Sequence, residues 1–268
     1  MFMHHLLLHL IRMIKRLSPS VIRILAQNAS PFLAAGTNCY LLGSGAKRIL
    51  VDTGSPGEQS CLAPLQKVLS DEQCTIDKIV VTHWHYDHIG GVKSILDHID
   101  QPESVRLFKH VRVPYSGTQY KDAGEKMPSG INIPKLDEFD WCHLSDGDYV
   151  ATDGAQIQVV FTPGHADDHI SLWMEGENVL FSGDTILGET TCVFDNYIEY
   201  MKSLDRLLKL VNGRSVQIFP GHGNEIGDAI ERIQFYIHHR KQREEQILQH
   251  LCKMIYCDFV KNAWRNPF

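Results

Sequence analysis

The chain has 268 residues, 43% of them hydrophobic, which is enough for one large domain or for a domain with a small appendage. No apolar run approaches the length of about 20 residues that a membrane-spanning helix needs, so stable membrane insertion is not predicted. The formal net charge is −6, and the seven cysteines show no paired short spacing, which indicates free thiols and argues against a disulfide-stabilised secreted protein.

Charge is distributed unevenly along the chain. Residues 1–51 carry six Lys or Arg and no Asp or Glu, residues 52–230 carry 13 basic and 28 acidic residues, and residues 231–268 carry seven basic and four acidic residues. The acidic body of the chain, residues 52–230, does not predict a basic groove for a nucleic-acid backbone. If RNA is the substrate, few phosphates are neutralised, and the salt dependence of binding should be shallow.

The N-terminal residues 1–16 are apolar and basic and contain no acidic residue. This composition suits a mitochondrial presequence, although serine is scarce, and a plain N-terminal extension fits the composition equally well. We therefore expect residues 1–16 to be an extension or targeting segment. The expected location is the mitochondrial matrix, with the cytoplasm as the alternative.

The first part of the predicted domain contains strands and one helix. Val21–Leu25 and Asn38–Leu42 have the apolar and β-branched content of antiparallel strands, and Ile49–Asp52 predicts another strand. The apolar residues of Cys61–Leu69 have helical spacing.

The most informative segment follows a run of β-branched residues, Ile79–Val81, which predicts a buried strand. Four metal-capable side chains then occur within six residues: His83, His85, Asp87 and His88. Imidazole and carboxylate groups suit zinc and similar ions. Four ligands at one strand end can hardly all serve one tetrahedral ion, so the pattern favours two metals that share a site.

After this cluster, Gly90-Gly91 precedes a predicted helix, Val92–Ile99. Residues 100–140 follow with little periodicity and four prolines, and we predict an insertion or a substrate loop there. Aromatic residues in or beside this segment could stack on bases or contact an acyl chain, or they could pack the loop onto the body: Tyr115, Tyr120 and Trp141.

Three further apolar runs share one pattern, in which a predicted strand meets Gly or Pro-Gly and then delivers one His or Asp. The three pairs are Gln156–Phe161 with His165, Asn178–Phe181 with Asp184, and Val216–Phe219 with His222. Strands of one sheet end along one edge, and glycine lets the backbone approach an ion closely, so these side chains are predicted to converge. Helices are predicted at Asp195–Val211 and, as one or two segments, at Ile226–Leu251.

The candidate ligands divide into two sets. Three histidines suit one zinc ion: His83, His85 and His165. A second ion is expected at Asp87, His88 and His222, with Asp184 as the bridging carboxylate. A water or hydroxide would fill the remaining bridging position and leave the catalytic face open.

The ligand pattern, His-X-His-X-Asp-His after a strand and then isolated His, Asp and His residues, resembles the metallo-β-lactamase superfamily. The resemblance extends over residues 13–250 and includes these motifs: Gly36–Leu41, Ile49–Gly54, Thr82–His85, Thr162–His169, Phe181–Asp184 and Tyr236–Arg240. It implies an αββα sandwich, in which two mixed β-sheets are flanked by helices, and two Zn²⁺ ions per chain. The members that the chain resembles are associated with endonucleolytic cleavage of single-stranded RNA in mitochondria.

The expected reaction is hydrolysis of RNA phosphodiesters by a metal-bridging hydroxide. Asp87 can both bind the second zinc ion and hold the proton of that hydroxide. His169, four residues after His165, is a candidate donor of a proton to the leaving group. The alternative for His169 is a supporting histidine that fixes Asp168 or a metal ligand, and Asp52 is expected to support the site rather than bind metal.

The main alternative function is hydrolysis of a thioester or lactone, as in glyoxalase II and lactonases, because the same hydroxide would attack a carbonyl carbon. An acidic body suits a small acyl substrate better than RNA. A β-lactam is less favoured, because an aspartate at position 87 with a bridging Asp184 is typical of the hydrolase and nuclease branches. A binding role without turnover would need a broken ligand set, and all seven ligands are present.

The predicted domain covers residues 17–250. The members that the chain resembles continue past the last helix into a small winged-helix-like unit, whereas here we expect residues 251–268 to form a short tail. Three aromatic residues in this tail could seek a partner or a membrane surface, although a frayed end is also expected: Phe259, Trp264 and Phe268.

Overall fold

The computed structural model describes residues 13–29, 36–112 and 139–265, with the backbone alone for residues 256–265. A first sheet has seven strands in sequential order. These are β1 (Ile14–Ser18), β2 (Val21–Leu25), β3 (Asn38–Leu42), β4 (Lys47–Val51), β5 (Thr75–Val80), β6 (Arg106–His110) and β7 (Trp141–Leu144). Neighbours are antiparallel from β1 to β4 and parallel from β4 to β7, so the sheet is mixed.

A second sheet has five strands in the order β12-β11-β10-β9-β8. These are β8 (Tyr149–Thr152), β9 (Ala155–Phe161), β10 (Ile170–Met174), β11 (Val179–Gly183) and β12 (Gln217–Pro220). Strands β8 to β11 pair antiparallel, and β12 pairs parallel to β11. This parallel pair needs a crossover, which a helix provides.

Five α-helices are described: α1 (Leu62–Glu72), α2 (Tyr86–Ile89), α3 (Val92–Leu96), α4 (Tyr197–Val211) and α5 (Ala229–Arg265). Helices α1 to α3 cover the outer face of the first sheet, where Leu65 and Ile95 are fully buried among its side chains. Helices α4 and α5 cover the second sheet through residues such as Leu204 and Tyr236. The Asn196 side chain begins α4 by accepting a hydrogen bond from the backbone N–H of Glu199, which satisfies one unpaired donor of the first turn.

The central core lies between the two sheets. Alternate residues of each strand point inward, and the first sheet contributes Tyr40 and Val80 while the second contributes Ile157 and Phe181. Burial of this apolar surface is the main force that holds the sheets face to face. The layers are therefore helix, sheet, sheet and helix, and the predicted αββα sandwich is confirmed.

The structure corrects several element boundaries. Strand β1 begins at Ile14, inside the segment predicted as an extension, because Met13 O and Leu25 N continue its pairing with β2. Strand β6 lies in the segment 100–140 that was predicted as a loop, and Trp141 belongs to β7. Tyr115 and Tyr120 lie outside the described residues.

The C-terminal region also differs from the prediction. The interval predicted as one or two helices is a single helix, α5, which begins at Ala229 and continues to Arg265 through most of the predicted tail. The side chains of Phe259 and Trp264, and Phe268 as a whole, lie outside the described part of the chain. Within that part, no helix is both long enough and apolar enough to span a membrane.

Candidate metal centre

The sequence-predicted ligands lie at strand ends of both sheets. In the first sheet, β5 ends at Val80, and the chain turns so that His85 lies immediately before the short helix α2. The carbonyl of His85 accepts hydrogen bonds from the backbone N–H groups of His88 and Ile89. This turn places Asp87 and His88 on the helix and directs all four side chains of the cluster towards one region.

The second sheet supplies the other three side chains, each just after a strand: His165 after β9, Asp184 after β11 and His222 after β12. Hydrogen bonds between the sheets hold these ends against the first sheet. The Asn38 N–H donates to Gly221 O at 2.7 Å, and the Ile170 N–H donates to Thr82 O at 2.9 Å. The site therefore lies at the junction of the two sheets.

Three histidine nitrogens converge in the first set. His83 Nε2 lies 2.9 Å from His85 Nδ1, and His165 Nε2 lies 3.3 Å from His83 Nε2 and 3.0 Å from His85 Nδ1. The rings of His83 and His165 are buried, whereas that of His85 is partly exposed. The three nitrogens thus face one point from three directions.

The second set lies beside the first. His222 Nε2 is 3.2 Å from His88 Nε2 and 3.3 Å from Asp87 Oδ2. Asp184 lies between the sets, with Oδ2 at 3.6 Å from His165 Nε2 and at 3.3 Å from His222 Nε2, and Oδ1 at 3.4 Å from His88 Nε2. Asp184 thus occupies the place predicted for a bridging carboxylate.

Four of the five histidines are oriented through their outer ring nitrogen. His165 Nδ1 hydrogen-bonds to Val193 O at 2.7 Å and His222 Nδ1 to Gly36 O at 3.0 Å. His83 Nδ1 lies 3.0 Å from Thr82 Oγ1, and His88 Nδ1 lies 2.8 Å from an Asp52 carboxylate oxygen. A histidine that donates through one nitrogen presents the lone pair of the other, which is the usual arrangement of metal-binding histidines.

Asp52 is the carboxylate on which several of these contacts depend. Its oxygens accept hydrogen bonds from Thr82 N at 2.8 Å and Thr82 Oγ1 at 2.9 Å, in addition to the contact with His88. It is 2% exposed and has a φ of 58°, a left-handed conformation that aspartate adopts more readily than most residues. The prediction that Asp52 supports the site is consistent with this geometry.

Glycine is required at two strand ends, where the backbone approaches Asp184 and His169. A Cβ atom at Gly221 would lie 2.3 Å from Asp184 Oδ1, and one at Gly183 would lie 2.5 Å from His169 Nε2. Gly183 also has a φ of 48°. The glycines noted in the sequence therefore allow close approach at the site.

The electrostatics of the two sets differ. Burial, followed by repulsion from His165, lowers the pKa of His85 to about 3, so His85 is neutral at physiological pH. Burial also opposes charge on His222, but Asp184 and Asp87 raise its pKa to about 10. Likewise, burial raises the pKa of Asp184, but His222 and His88 lower it well below its usual range.

These properties fit a cation-binding site. Asp184 Oδ1 is buried and has no hydrogen-bond partner among the described residues, and a buried oxygen of this kind is costly unless something binds it. The carboxylates of Asp52, Asp87 and Asp184 concentrate negative charge around two sets of histidine nitrogens. Nitrogen and carboxylate donors suit zinc and other divalent transition metals.

His169 has a different environment from that of a proton donor. It is fully buried, its Nε2 accepts a hydrogen bond from the Asp184 N–H at 3.0 Å, and its Nδ1 lies 2.9 Å from Thr162 Oγ1 and 3.2 Å from Thr185 Oγ1. Burial, followed by repulsion from His165, lowers its pKa well below the usual range. These contacts engage both ring nitrogens with protein groups and favour the alternative, a histidine that fixes a ligand, over the leaving-group acid.

The sequence analysis missed a layer of charged residues behind the ligand loops. Lys109 Nζ, from β6, lies 3.2 Å from Asp168 Oδ2, and both side chains are buried. Asp168 Oδ1 accepts a hydrogen bond from Trp84 N at 3.2 Å. Burial, opposed by Lys109 and reinforced by Asp167, raises the pKa of Asp168 to about 6. This layer ties the His83–His88 segment to the loop that carries His165.

The family of the chain follows from a comparison with known families. A model described as "Metallo-beta-lactamase superfamily" matches residues 34–222, a range that contains all seven predicted ligands. The chain belongs to the metallo-β-lactamase superfamily. The sequence-based resemblance is thereby confirmed, and the chain is a hydrolase of this superfamily with a His/Asp cluster suited to metal binding.

Several relatives in this superfamily cover most of the chain. It is 43% identical over 95% of its length to "Beta-lactamase-like protein 2 homolog" of Drosophila melanogaster, of which it covers 86%. The protein of the same name from Caenorhabditis elegans is 42% identical over 88% of the chain, which covers 72% of that relative. A metallo-beta-lactamase family protein from Thermus thermophilus has the same fold, with a TM-score of 0.69 at 24% identity over 88% of the chain and 84% of its own length.

Proposed function

We propose that this metallo-β-lactamase hydrolase binds two zinc ions and cleaves phosphodiester bonds within single-stranded RNA. The observation that carries the proposal is the position of Asp184, whose carboxylate lies within 3.6 Å of histidines from both ligand sets. A carboxylate shared in this way suits a pair of metals, and paired metals stabilise both the attacking and the leaving oxygen of a phosphodiester.

The residues assigned to each ion follow the two sets. His83, His85 and His165 would hold one ion, and Asp87, His88 and His222 the other, while Asp184 contacts both sets. When bound, the two ions lower the pKa of water and neutralise negative charge that develops on the substrate. The same ligands also accept manganese and iron, and zinc is proposed because histidine nitrogens dominate the donor set.

Asp87 is the proposed catalytic residue of the chain itself. Although burial raises its pKa, the positive charges of His88 and His222 lower it, so Asp87 is ionised at neutral pH. Its Oδ2 lies 3.3 Å from His222 Nε2, at the edge of the second set, and its side chain retains 10% exposure. A carboxylate in this position can accept a hydrogen bond from the attacking water and orient it towards the substrate.

RNA is proposed as the substrate because of the resemblance to the endoribonuclease-type members. The two relatives at 42–43% identity are named "Beta-lactamase-like protein 2 homolog", a name that specifies no substrate. The same groups could also act on the carbonyl carbon of a thioester or lactone, so the test must offer both substrates.

The test incubates zinc-loaded protein with end-labelled single-stranded RNA and, separately, with a glutathione thioester. Asp87→Ala removes the proposed catalytic carboxylate, and Asp97→Ala is the matched control because it removes an exposed carboxylate at the end of α3. We expect internal RNA cleavage by the wild-type protein and by Asp97→Ala, and a loss of at least about a hundredfold in Asp87→Ala. Intact RNA together with rapid thioester hydrolysis would reject the nuclease and favour the acyl hydrolase.

A further inference from the structure

A second feature of the molecule is a cavity of about 550 Å³ between α5 and the segment that leads into α4. Its walls include Phe194, Tyr197, Arg240, Arg243, Ile247 and Leu248. None of these residues belongs to the predicted ligand sets. The cavity volume is within the range of small-molecule sites, and apolar side chains form much of its wall.

The cavity is joined to the metal centre by the segment 192–196. Val193 O accepts the hydrogen bond from His165 Nδ1 at 2.7 Å, so the wall residue Phe194 is the immediate neighbour of the group that orients this ligand. The N–H groups of Asp195 and Asn196 both donate to Gly164 O, at 2.7 and 3.0 Å. The wall of the cavity is therefore continuous along the chain with the segment that orients His165.

The wall combines flat and aliphatic surfaces that are held in place. The Phe194 ring stacks on Tyr200 with centroids 5.3 Å apart and an interplanar angle of 18°, and the Arg240 guanidinium lies 4.8 Å from the Phe194 centroid. Tyr197 donates its hydroxyl hydrogen to Glu244 at 2.8 Å. Ile247 and Leu248 each remain more than half exposed. An apolar, planar group would bury these surfaces.

The rim of the cavity carries two arginines, Arg240 and Arg243, and one carboxylate, Glu244, which accepts the hydrogen bond from Tyr197. Arg243 donates to Gln246 on the same helix, and no described carboxylate forms an ion pair with it. His239 Nδ1 is buried and has no hydrogen-bond partner in the described part of the chain. Arginine beside aromatic surfaces is typical of sites for phosphate and nucleic acid.

We propose that this cavity binds one nucleotide of the RNA strand that the metal centre cleaves. The base lies against Phe194, Ile247 and Leu248, and its phosphate meets Arg243. A saturated acyl chain would fill the apolar part but would leave Arg243, which forms no ion pair with a described carboxylate, without a counter-charge, so charge complementarity favours the nucleotide. The inference rests on the proposed RNA substrate and adds where the strand is held.

The experiment compares Arg243→Gln with Lys241→Gln in the zinc-loaded full chain. Both variants remove one positive charge from the same turn of α5, but Lys241 does not line the cavity. We expect Arg243→Gln to lower kcat/KM for single-stranded RNA by about tenfold or more, mainly through KM, because a charge-assisted phosphate contact is lost. The slope of log(kcat/KM) against log salt should become shallower by about 0.7, the contribution of one phosphate contact on a single strand. Lys241→Gln should stay within about twofold of the wild-type protein.

The outcomes separate this inference from the proposed function. If the wild-type protein cleaves RNA and the two variants are equally active, the cavity assignment is overturned while the nuclease stands. If the wild-type protein leaves RNA intact and hydrolyses the thioester, the nuclease and the cavity assignment are rejected together. Zinc content, which should match in all three proteins, verifies that the centre is intact.

Discussion

Replacing Asp52 by Asn tests how strongly the supporting hydrogen bonds control the metal centre. The substitution keeps the size of the side chain, and asparagine tolerates the left-handed φ of 58° about as well as aspartate does. The change is therefore confined to charge and to hydrogen-bonding capacity at the contacts with Thr82 and His88.

The expected magnitude follows from the two carboxylate oxygens. Oδ1 accepts from Thr82 N, whereas Oδ2 accepts from Thr82 Oγ1 and faces His88 Nδ1 at 2.8 Å. In asparagine one oxygen becomes an NH₂ group, which would face these donors and lose the charge-assisted contact. Loss of an outer partner of a metal-binding histidine commonly weakens metal binding by about 10–100-fold, or about 1.4–2.7 kcal/mol.

The assay is a competition titration in which a chelator of known affinity removes zinc from the wild-type protein, from Asp52→Asn and from a control, Asp146→Asn. Asp146 forms an exposed ion pair with Arg206, so its loss should leave zinc affinity unchanged. Equal affinities of the wild-type protein and Asp52→Asn would refute the argument that Asp52 orients His88 for metal binding.

Two further predictions concern packing and pH. Gly221→Ala would place Cβ 2.3 Å from Asp184 Oδ1, so we expect hydrolytic activity to fall by about a hundredfold with reduced zinc content, whereas Gly227→Ala, whose Cβ meets nothing within 4 Å, should resemble the wild-type protein. The folded-state pKa of Asp168, about 6, lies above its ordinary value of 3.8, so the folded state holds this proton more tightly. Protonated Asp168 therefore stabilises the folded state fully below about pH 4. This contribution to the free energy of unfolding, about 3 kcal/mol, is lost as the pH rises through about 6. In urea unfolding with chelator present, the free energy of unfolding should fall less between these pH values for Asp168→Asn than for the wild-type protein. An unchanged pH dependence in the variant would contradict this assignment.

The strand ends were predictable from the sequence because each combines a buried apolar run with a backbone constraint. Strands β2 and β3 have the predicted bounds, Val21–Leu25 and Asn38–Leu42, since every β3 residue is buried and both strands end in loops. The runs before His165 and His222 are also strands. Apolar periodicity and glycine therefore predicted the convergence of these side chains, although the strands that carry them belong to two sheets and not to one.

The sequence could not give features that depend on partners distant along the chain. Strand β6 was predicted as loop because residues 100–140 show little periodicity and contain four prolines, yet its Lys109 is buried through an ion pair with Asp168. The role of His169 was also hidden, because the choice between proton donor and structural acceptor depends on which groups surround its two nitrogens. In the folded chain the Asp184 N–H and two threonine hydroxyls contact these nitrogens, which favours the structural acceptor.

The position of the metal centre links the chemistry to the assembly of the sandwich. The first sheet contributes the four residues from His83 to His88, and the second contributes His165, Asp184 and His222, so neither sheet alone carries a complete set around Asp184. The backbone contacts of Asn38 with Gly221 and of Ile170 with Thr82 fix the distance between the two contributions. Cations bound by both sheets would stabilise the folded state over the unfolded state by mass action. Both ligand sets are therefore complete only when the inter-sheet core is formed, and metal bound there would in turn hold the sheets together.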